Sequence, residues 1–347
     1  MKIFNEKGKI MSKVIRVGIN GFGRIGRLAF RAAYNCSEFE IVQVNDPGAN
    51  SETLAHLLEF DSAHGRWNRS MSSSDGSFTV DGKTVRCTAE RDIANTDWSN
   101  CDIVIEASGK NKTTDALQDY LDQGVDYVVV TAPVKSKSVP NIVVGVNDEE
   151  FDPKIHAIVS AASCTTNCLA PVVKVIQEQF GIKHASMTTI HALTNTQTIL
   201  DAPHKDLRRA RACGESLIPT TTGSAKAIVS IFPELEGRIN GHAVRVPIMC
   251  PSLTDVVLEV ETPTTVQAVN AALKKASEGE LKGILGYEEK PLVSIDYKSD
   301  PRSSIVDALS TMVVNGTQVK IYAWYDNEFG YAQRTVDLVQ RIAQSKK

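Results

Sequence analysis

The sequence predicts an α/β protein of two domains: a parallel sheet wound with helices, then an α+β domain with a mixed, largely antiparallel sheet. Three observations carry this. Short apolar runs alternate with helical stretches through the first half, the pattern of strands buried on both faces. A glycine-rich turn, Gly21-Phe22-Gly23-Arg24-Ile25-Gly26, sits between the first apolar run and the first helical one. Beyond Ser163 the order becomes mixed, and Val256, Leu258 and Val260 alternate with Val257, Glu259 and Glu261, which leaves one sheet face for water.

Residues 14–19 form the first strand and residues 27–33 the first helix. The G-x-G-x-x-G between them is weak evidence alone, but in this strand-to-helix setting it is the fingerprint of a Rossmann-type dinucleotide site. Its glycines permit a tight turn and close approach of backbone to pyrophosphate, and the helix N-terminus offers N–H donors to the phosphates. A second strand, 40–45, ends on Asp46, 20 residues beyond Gly26. A carboxylate there accepts from the adenosine ribose hydroxyls and repels a 2′-phosphate, so NAD is expected over NADP. Asp75-Gly76 and Asp81-Gly82 bracket residues 77–80, and 83–87 follow, which reads as a hairpin. The strand 103–106 leads to Ala107-Ser108-Gly109, and 127–130 leads to Thr131-Ala132-Pro133. Runs 142–146 and 155–160 complete the expected sheet. Ligand is expected at the strands' carboxyl ends, where Gly21, Asp46, Gly109 and Thr131 fall.

The segment Ala161-Ala162-Ser163-Cys164-Thr165-Thr166-Asn167-Cys168 joins this sheet to a helix over 169–180. An isolated cysteine is more often a small buried hydrophobe than a nucleophile. Here the flanks are small and polar, and Ser163, Thr165 and Thr166 are good caps. Cys164 therefore lies beside unpaired N–H groups at the positive end of a helix, a setting that favours a thiolate. His191 lies on the next strand, 185–192. Residues 193–219 make a long irregular segment containing Lys205-Asp206-Leu207-Arg208-Arg209-Ala210-Arg211. Thr220-Thr221-Thr222-Gly223-Ser224 can present hydroxyls and N–H groups to an anion before a helix over 224–232. Arg245, between Val244 and Val246 on the strand 241–246, needs an anionic partner. Strands 254–261, 304–311 and 318–325, a helix over 264–277 and a last helix over 327–344 complete the chain.

At 347 residues the chain is long enough for two cores, and 42% hydrophobic with 23% charged residues is ordinary for a globular enzyme. A net charge of −3 gives no sign of a nucleic-acid partner. Seven irregularly spaced cysteines argue against a disulfide framework and for a reducing, cytoplasmic compartment. Cys164-x-x-x-Cys168 lacks a second Cys/His pair at ligand spacing, so no metal is expected. No apolar run reaches the ~18 residues of a membrane span. Residues 1–10 lack the features of a signal or transit peptide and read as a disordered extension, with Met11 an alternative start.

The octet around Cys164 closely resembles the active-site segment of glyceraldehyde-3-phosphate dehydrogenases, and the resemblance extends from about Lys13 to Ile342. It implies that Cys164 is the nucleophile and His191 the residue that activates it. It assigns the substrate phosphate and the attacking inorganic anion to Ser163, Thr165, Thr194, Arg209, Thr222, Gly223 and Arg245. On the cofactor side it points to Gly21, Phe22, Gly23, Arg24, Ile25, Gly26, Asp46, Arg91, Gly109, Thr131 and Asn327, the last within Trp324-Tyr325-Asp326-Asn327-Glu328. Pro203 matches a residue associated with NAD preference, whereas Pro47 replaces the usual leucine after Asp46. The implied NAD-binding domain is 1–162, with 1–12 disordered and the helix 327–347 packed back on it. The catalytic domain is 163–326. The implied partners are glyceraldehyde 3-phosphate, inorganic phosphate and further copies of the chain in a homotetramer.

The chain departs from the family after His191. Leu193, Thr196 and Thr198 stand where tyrosine, aspartate and arginine are usual, and Val314-Asn315-Gly316-Thr317 replaces a more acidic turn. With Arg211-Ala212-Cys213-Gly214 these features resemble the subgroup associated with bacterial arsenate resistance. There arsenate is the acyl acceptor and a permease exports 1-arseno-3-phosphoglycerate. The alternatives are an erythrose-4-phosphate dehydrogenase and a non-catalytic binding protein on the same fold.

Overall fold

The structure, a computed structural model, describes residues 14–346; the expectations for residues 1–12 lie outside the described residues. The chain runs β1 (Ile15–Asn20), α1 (Arg24–Ala33), β2 (Phe39–Asn45), α2 (Ser51–Glu59), β3 (Met71–Ser74), β4 (Ser77–Val80), β5 (Lys83–Thr88), β6 (Ile103–Glu106), α3 (Thr114–Asp122), β7 (Tyr127–Val130) and β8 (Ile158–Ser160). These strands form one sheet in the order β3-β4-β5-β2-β1-β6-β7-β8. From β5 to β8 every pairing is parallel; only β3-β4-β5 is antiparallel. The order reverses direction at β1, so a crevice opens at the carboxyl ends of β1, β2 and β6.

The second half runs α4 (Cys164–Phe180), β9 (Ile182–His191), β10 (Ile218–Thr221), α5 (Ser224–Ile231), β11 (Ile239–Arg245), β12 (Ser252–Val260), α6 (Val266–Glu278), β13 (Leu285–Glu288), β14 (Ser304–Asp307), β15 (Met312–Val314), β16 (Gln318–Tyr325) and α7 (Phe329–Ser345). Its sheet has the order β10-β11-β9-β12-β16-β14-β13, with β15 on β16. The pairings are antiparallel except β11 with β9 and β13 with β14.

Two cores cover opposite faces of the first sheet. One packs α1 and α7 against β1, with Val17, Ile19, Leu28, Phe30, Val336, Val339 and Ile342 fully or nearly buried. The other gathers Trp98, Leu117, Tyr120 and Val128 around α3. A third core lies between the second sheet and α4, α5 and α6, where Val172, Val173, Ile176, Val256, Leu258 and Leu273 meet. Helix α7 thus contributes its apolar face to the first sheet although it follows the second in sequence.

Three element expectations are corrected. Ile142, Val143 and Val146 are buried, but residues 142–146 run through an irregular stretch into a turn rather than a strand. Asn147 Oδ1 accepts from Val143 N–H at 2.8 Å and its Nδ2 donates to the Asn141 carbonyl at 3.1 Å, so a side chain replaces the ladder. The eighth strand starts at Ile158; Ile155 is 73% exposed, in a turn whose N–H donates to the Asp152 carbonyl. The strand expected over 304–311 stops at Asp307, whose carboxylate accepts from Ser310 N–H at 3.2 Å and starts a short helical turn. Elements α2, α3, β3, β10, β13 and β15 lie outside the elements expected from the sequence.

Candidate active site

Strand β8 delivers the chain to Ala162, which turns it into α4 with φ 55°. A left-handed conformation costs a residue with a Cβ roughly 1–2 kcal/mol, so the surroundings must hold it. Tyr331 of α7 donates its hydroxyl to the Ala162 carbonyl at 3.1 Å, and Ala162 N–H donates to Ser160 Oγ at 3.0 Å. Ser163 then caps α4, its Oγ accepting from Thr166 N–H at 3.2 Å. Asn167 Nδ2 donates to the Ala161 and Ser163 carbonyls, both at 2.9 Å. Cys164 is the first residue of α4, so its N–H is one of the donors that a helix leaves unpaired.

Sheet register supplies the rest. The parallel pairing of β9 with β11 sets His191 opposite Arg245, and Ser252 on β12 lies opposite Tyr325 on β16. His191 Nε2 is 3.6 Å from Cys164 Sγ. Its Nδ1 meets a partner of each kind, the Ala192 carbonyl at 2.7 Å and the Arg245 guanidinium, which also donates to that carbonyl at 3.1 Å. When Nδ1 donates to Ala192, Nε2 turns a lone pair toward the sulfur. The ring packs edge-on against Tyr325, with centroids 6.1 Å apart.

Electrostatics here correct one expectation. Burial pushes the Cys164 thiol up; Arg245, Thr165 and the N–H groups of Thr165 and Cys164 pull it back without cancelling that rise. Burial, followed by the charge of Arg245, pushes His191 down to about 3. Desolvation thus works against the helix end and favours a neutral thiol beside a neutral imidazole, although Cys164 itself is only partly buried. Ionisation of the sulfur needs its proton to move to Nε2.

Ser163 and Ser224 bring their Oγ atoms to 3.5 Å, and Thr222 Oγ1 donates to Ser224 Oγ at 3.1 Å, with Gly223 capping α5. Arg209 Nε donates to Thr220 Oγ1 at 2.9 Å and its Nη1 to Thr196 Oγ1 at 3.4 Å, while Thr194 Oγ1 lies 2.9 Å from Thr196 Oγ1. Arg209 is near enough for its charge to act on His191. Arg245 Nε is buried and lacks a hydrogen-bond partner among the described residues. The Thr165 side chain is buried and its hydroxyl pairs with Tyr325 at 2.9 Å, while its N–H faces the start of α4 beside Cys164.

The residues of the first sheet fit a dinucleotide. Gly21 has φ 88°, and a Cβ on it would overlap the Ser108 backbone, while a Cβ on Gly26 would overlap the Gly21 carbonyl oxygen. A Cβ on Gly23 would meet nothing within 4 Å, which leaves that turn open to a ligand. No side chain caps α1, so the N–H groups from Arg24 to Gly26 are free for phosphate. Asp46 is oriented by Phe22 N–H and Gly48 N–H, each 2.9 Å from a carboxylate oxygen. Gly109 and Arg91 lie exposed in the turns after β6 and β5, and Thr131 donates to the Glu106 carbonyl at 3.1 Å. Asn327 is buried, its Oδ1 accepting from Ser252 Oγ at 2.8 Å.

Three of the expected cofactor residues have side chains committed elsewhere and leave only backbone for a ligand. The Phe22 ring packs into the core against Phe30 and Phe78. The Arg24 guanidinium is committed to Glu328 and Asp61, which raise its pKa, so it bridges α1 to the start of α7. Ile25 packs its side chain on the first core. The structure also shows a residue that sequence reasoning missed. Tyr325 OH bridges Thr165 and Thr189, at 2.9 and 2.8 Å, directly behind the Cys164–His191 pair. Its position on the buried face of an alternating strand was readable, but its partners are far away in sequence.

His64, Cys250 and Asp326 approach within 4.8 Å of one another. Asp326 already accepts from the N–H groups of Ser299, Glu328 and Phe329, and burial with Asp326 keeps the Cys250 thiol protonated. They form a hydrogen-bonded junction.

Comparison with known proteins shows the family of the chain. Residues 15–114 match the family model described as the NAD binding domain of glyceraldehyde 3-phosphate dehydrogenase, and residues 163–327 match the model of its C-terminal domain. A glyceraldehyde-3-phosphate dehydrogenase 3 from Nostoc sp. is 57% identical over 336 residues, covering 96% of this chain and 99% of that protein. The glyceraldehyde-3-phosphate dehydrogenase of Geobacillus stearothermophilus is 53% identical, covering 95% and 98%. Glyceraldehyde-3-phosphate dehydrogenase 1 of Bacillus subtilis is 51% identical, covering 95% and 98%.

Proposed function

The chain belongs to the glyceraldehyde-3-phosphate dehydrogenase family, and we propose that it oxidises glyceraldehyde 3-phosphate to 1,3-bisphosphoglycerate with NAD and inorganic phosphate. The observation that carries this reading is the 3.6 Å approach of Cys164 Sγ to His191 Nε2 at the start of α4. The segment before Ser163, with α7, holds the dinucleotide, and the segment from Ser163 to Asp326 holds the substrate.

In this reading His191 Nε2 takes the thiol proton as Cys164 Sγ bonds to the aldehyde carbon. The Cys164 N–H and the resulting imidazolium donate to the oxygen that gains charge. The imidazolium passes that proton to the oxygen, giving a neutral hemithioacetal, and His191 takes it back as the carbonyl reforms. Bound NAD supplies the acceptor for the hydride that leaves this carbon. Cys164 is left as a thioester. A phosphate oxygen attacks the thioester carbon, the C–S bond breaks, and the sulfur leaves as thiolate. Ser163, Thr165 N–H, Thr194, Arg209, Thr222, Gly223 and Arg245 neutralise and orient the two anions. Gly21 to Gly26, Asp46, Arg91, Gly109, Thr131 and Asn327 hold the cofactor.

Ile199, Leu200, Leu207 and Leu217 of the long segment before β10 are each exposed, as are Leu309, Met312 and Val314 near β15. These exposed apolar side chains are what the homotetramer in this reading would cover. Thr196 stands where an aspartate is usual and meets Arg209 through a hydroxyl at 3.4 Å, while Arg209 pairs with Asp206 at 3.6 Å. The second reading rests on the resemblance at Leu193, Thr196 and Thr198: an arsenate-using form of the same reaction, with an arsenic efflux permease as functional partner.

The test is NADH formation from glyceraldehyde 3-phosphate with phosphate and arsenate titrated separately, and erythrose 4-phosphate as competing aldehyde. Phosphate-dependent turnover with Cys164→Ser inactive but still binding NAD supports the reading. Arsenate preferred by more than about tenfold in kcat/KM assigns the second form. No turnover with either anion, or a higher kcat/KM on erythrose 4-phosphate, overturns it.

A further inference from the structure

At the carboxyl ends of β1, β2 and β6, where a ligand would be expected to meet polar side chains, one carboxylate instead points inward. Glu106 is 1% exposed. Its Oε2 accepts from Asn20 Nδ2 at 2.9 Å, Tyr120 OH at 2.7 Å and Asn111 Nδ2 at 3.0 Å. Its Oε1 accepts from Ser108 N–H at 2.8 Å and from the Ser108 hydroxyl. No lysine, arginine or histidine among the described residues forms an ion pair with it. Each of these contacts is with a donor, so the side chain acts here as acceptor only. Burying such a charge without a cation is expensive unless its lone pairs are filled. Here they are filled by groups from the end of β1, the loop after β6 and helix α3.

The bonds continue in one direction. Asn45 Nδ2 donates to Asn20 Oδ1 at 2.8 Å, and Asn45 Oδ1 in turn accepts from Glu90 N–H at 2.9 Å and Thr88 Oγ1 at 2.8 Å. Asn20 also donates to Tyr120 OH at 2.6 Å, and burial together with Glu106 keeps that hydroxyl protonated. The chain therefore runs from Thr88 and Glu90, after β5, through Asn45 at the end of β2 and Asn20 at the end of β1, to Glu106 at the end of β6. Asp46, Gly21, Arg91 and Ser108-Gly109 are the next residues along those same loops. The Ser108 backbone, fixed by Glu106, is also the surface against which Gly21 packs with no room for a Cβ.

We infer that Glu106 is a positioning residue for dinucleotide binding: as terminal acceptor of this buried chain it seats the Ser108-Gly109 turn against Gly21 and ties together the loops after β1, β2, β5 and β6. The inference rests on the dinucleotide reading above. Glu106→Gln puts an amide donor among five donors, so at least one must swing away, and Gly21 has no slack to follow.

The test measures NAD binding directly, by calorimetric titration of the full-length protein, with steady-state kinetics beside it. For Glu106→Gln the NAD Kd and KM rise about tenfold or more, while kcat at saturating NAD stays within about threefold. Alkylation of Cys164 by iodoacetamide without NAD keeps its rate, because none of the groups that donate to Glu106 hydrogen-bonds to Cys164, His191 or Arg245. Tyr120→Phe, which removes one donor and keeps the ring, raises Kd by a smaller factor and decides the matter if Glu106→Gln does not fold. Val80→Ala serves as a control for general destabilisation of the same sheet. Wild-type binding of NAD, with Kd rising in both variants beyond the control at matched loss of Tm, supports the inference. Unchanged Kd in both variants, or a rise no larger than the control's, overturns it while leaving the dinucleotide reading intact. Failure of the wild-type protein to bind NAD overturns that reading and the inference with it.

Discussion

Acid should destabilise this protein through His191, and the size of the effect follows from its surroundings. The imidazole is 5% exposed, and burial with Arg245 pushes its pKa down to about 3. In an unfolded chain it returns to about 6.5. Below that value the unfolded state binds more protons than the folded one, so stability rises with pH. The contribution of the neutral ring is complete above about pH 6.5 and is lost as pH falls toward about 3. Between about pH 7.5 and about pH 5 the linkage amounts to about 2 kcal/mol. Urea unfolding of wild type and His191→Asn at those two pH values isolates it, since other groups cancel in the difference. Wild type should lose about 2 kcal/mol more than the variant on acidification. Equal losses would refute the buried, neutral imidazole and the proton-accepting role built on it.

Three further outcomes are expected. Asp46→Gly removes the acceptors of Phe22 N–H and Gly48 N–H; KM for NAD should rise and the NADP-to-NAD ratio of kcat/KM should increase about tenfold or more, read from initial rates with each cofactor. Gly26→Ala drives a Cβ into the Gly21 carbonyl oxygen, which should cost about 1–3 kcal/mol by urea unfolding because both partners are backbone. Tyr325→Phe strands the buried hydroxyls of Thr165 and Thr189, and should cost about 1–3 kcal/mol while lowering kcat more than it changes the Kd for NAD.

The parts of this fold that were legible in the sequence are those where one physical signal dominates. Residues 103–106 and 127–130 are short, apolar and bounded by turns, and the strands lie there; the glycine turn before α1 follows from its strand-to-helix context. The apolar run 142–146 shows the limit, because it is as buried as a strand yet Asn147 satisfies its backbone. Hydrophobicity reports burial and does not say which groups take up the hydrogen bonds. Strand β3 reads Met-Ser-Ser-Ser and was invisible for the opposite reason: its pairing with β4 owes nothing to apolar alternation. At the site, Cys164, His191 and Arg245 were recognisable from residue type and setting, but the protonation of the sulfur was not. The helix end is local and can be read from sequence, whereas the desolvation that works against it comes from elements brought in by the fold. Tyr325 and Glu106 were missed because their roles depend on hydroxyl and amide partners that only the sheet registers bring together.

The account stands or falls on a thioester at Cys164. Mixing the protein with NAD and glyceraldehyde 3-phosphate in the absence of phosphate and arsenate should give NADH in proportion to protein, and peptide mass spectrometry should find the 3-phosphoglyceroyl group on Cys164, discharged on adding phosphate. NADH formation without an acyl adduct, or an adduct on Cys168 or any other thiol, would contradict it.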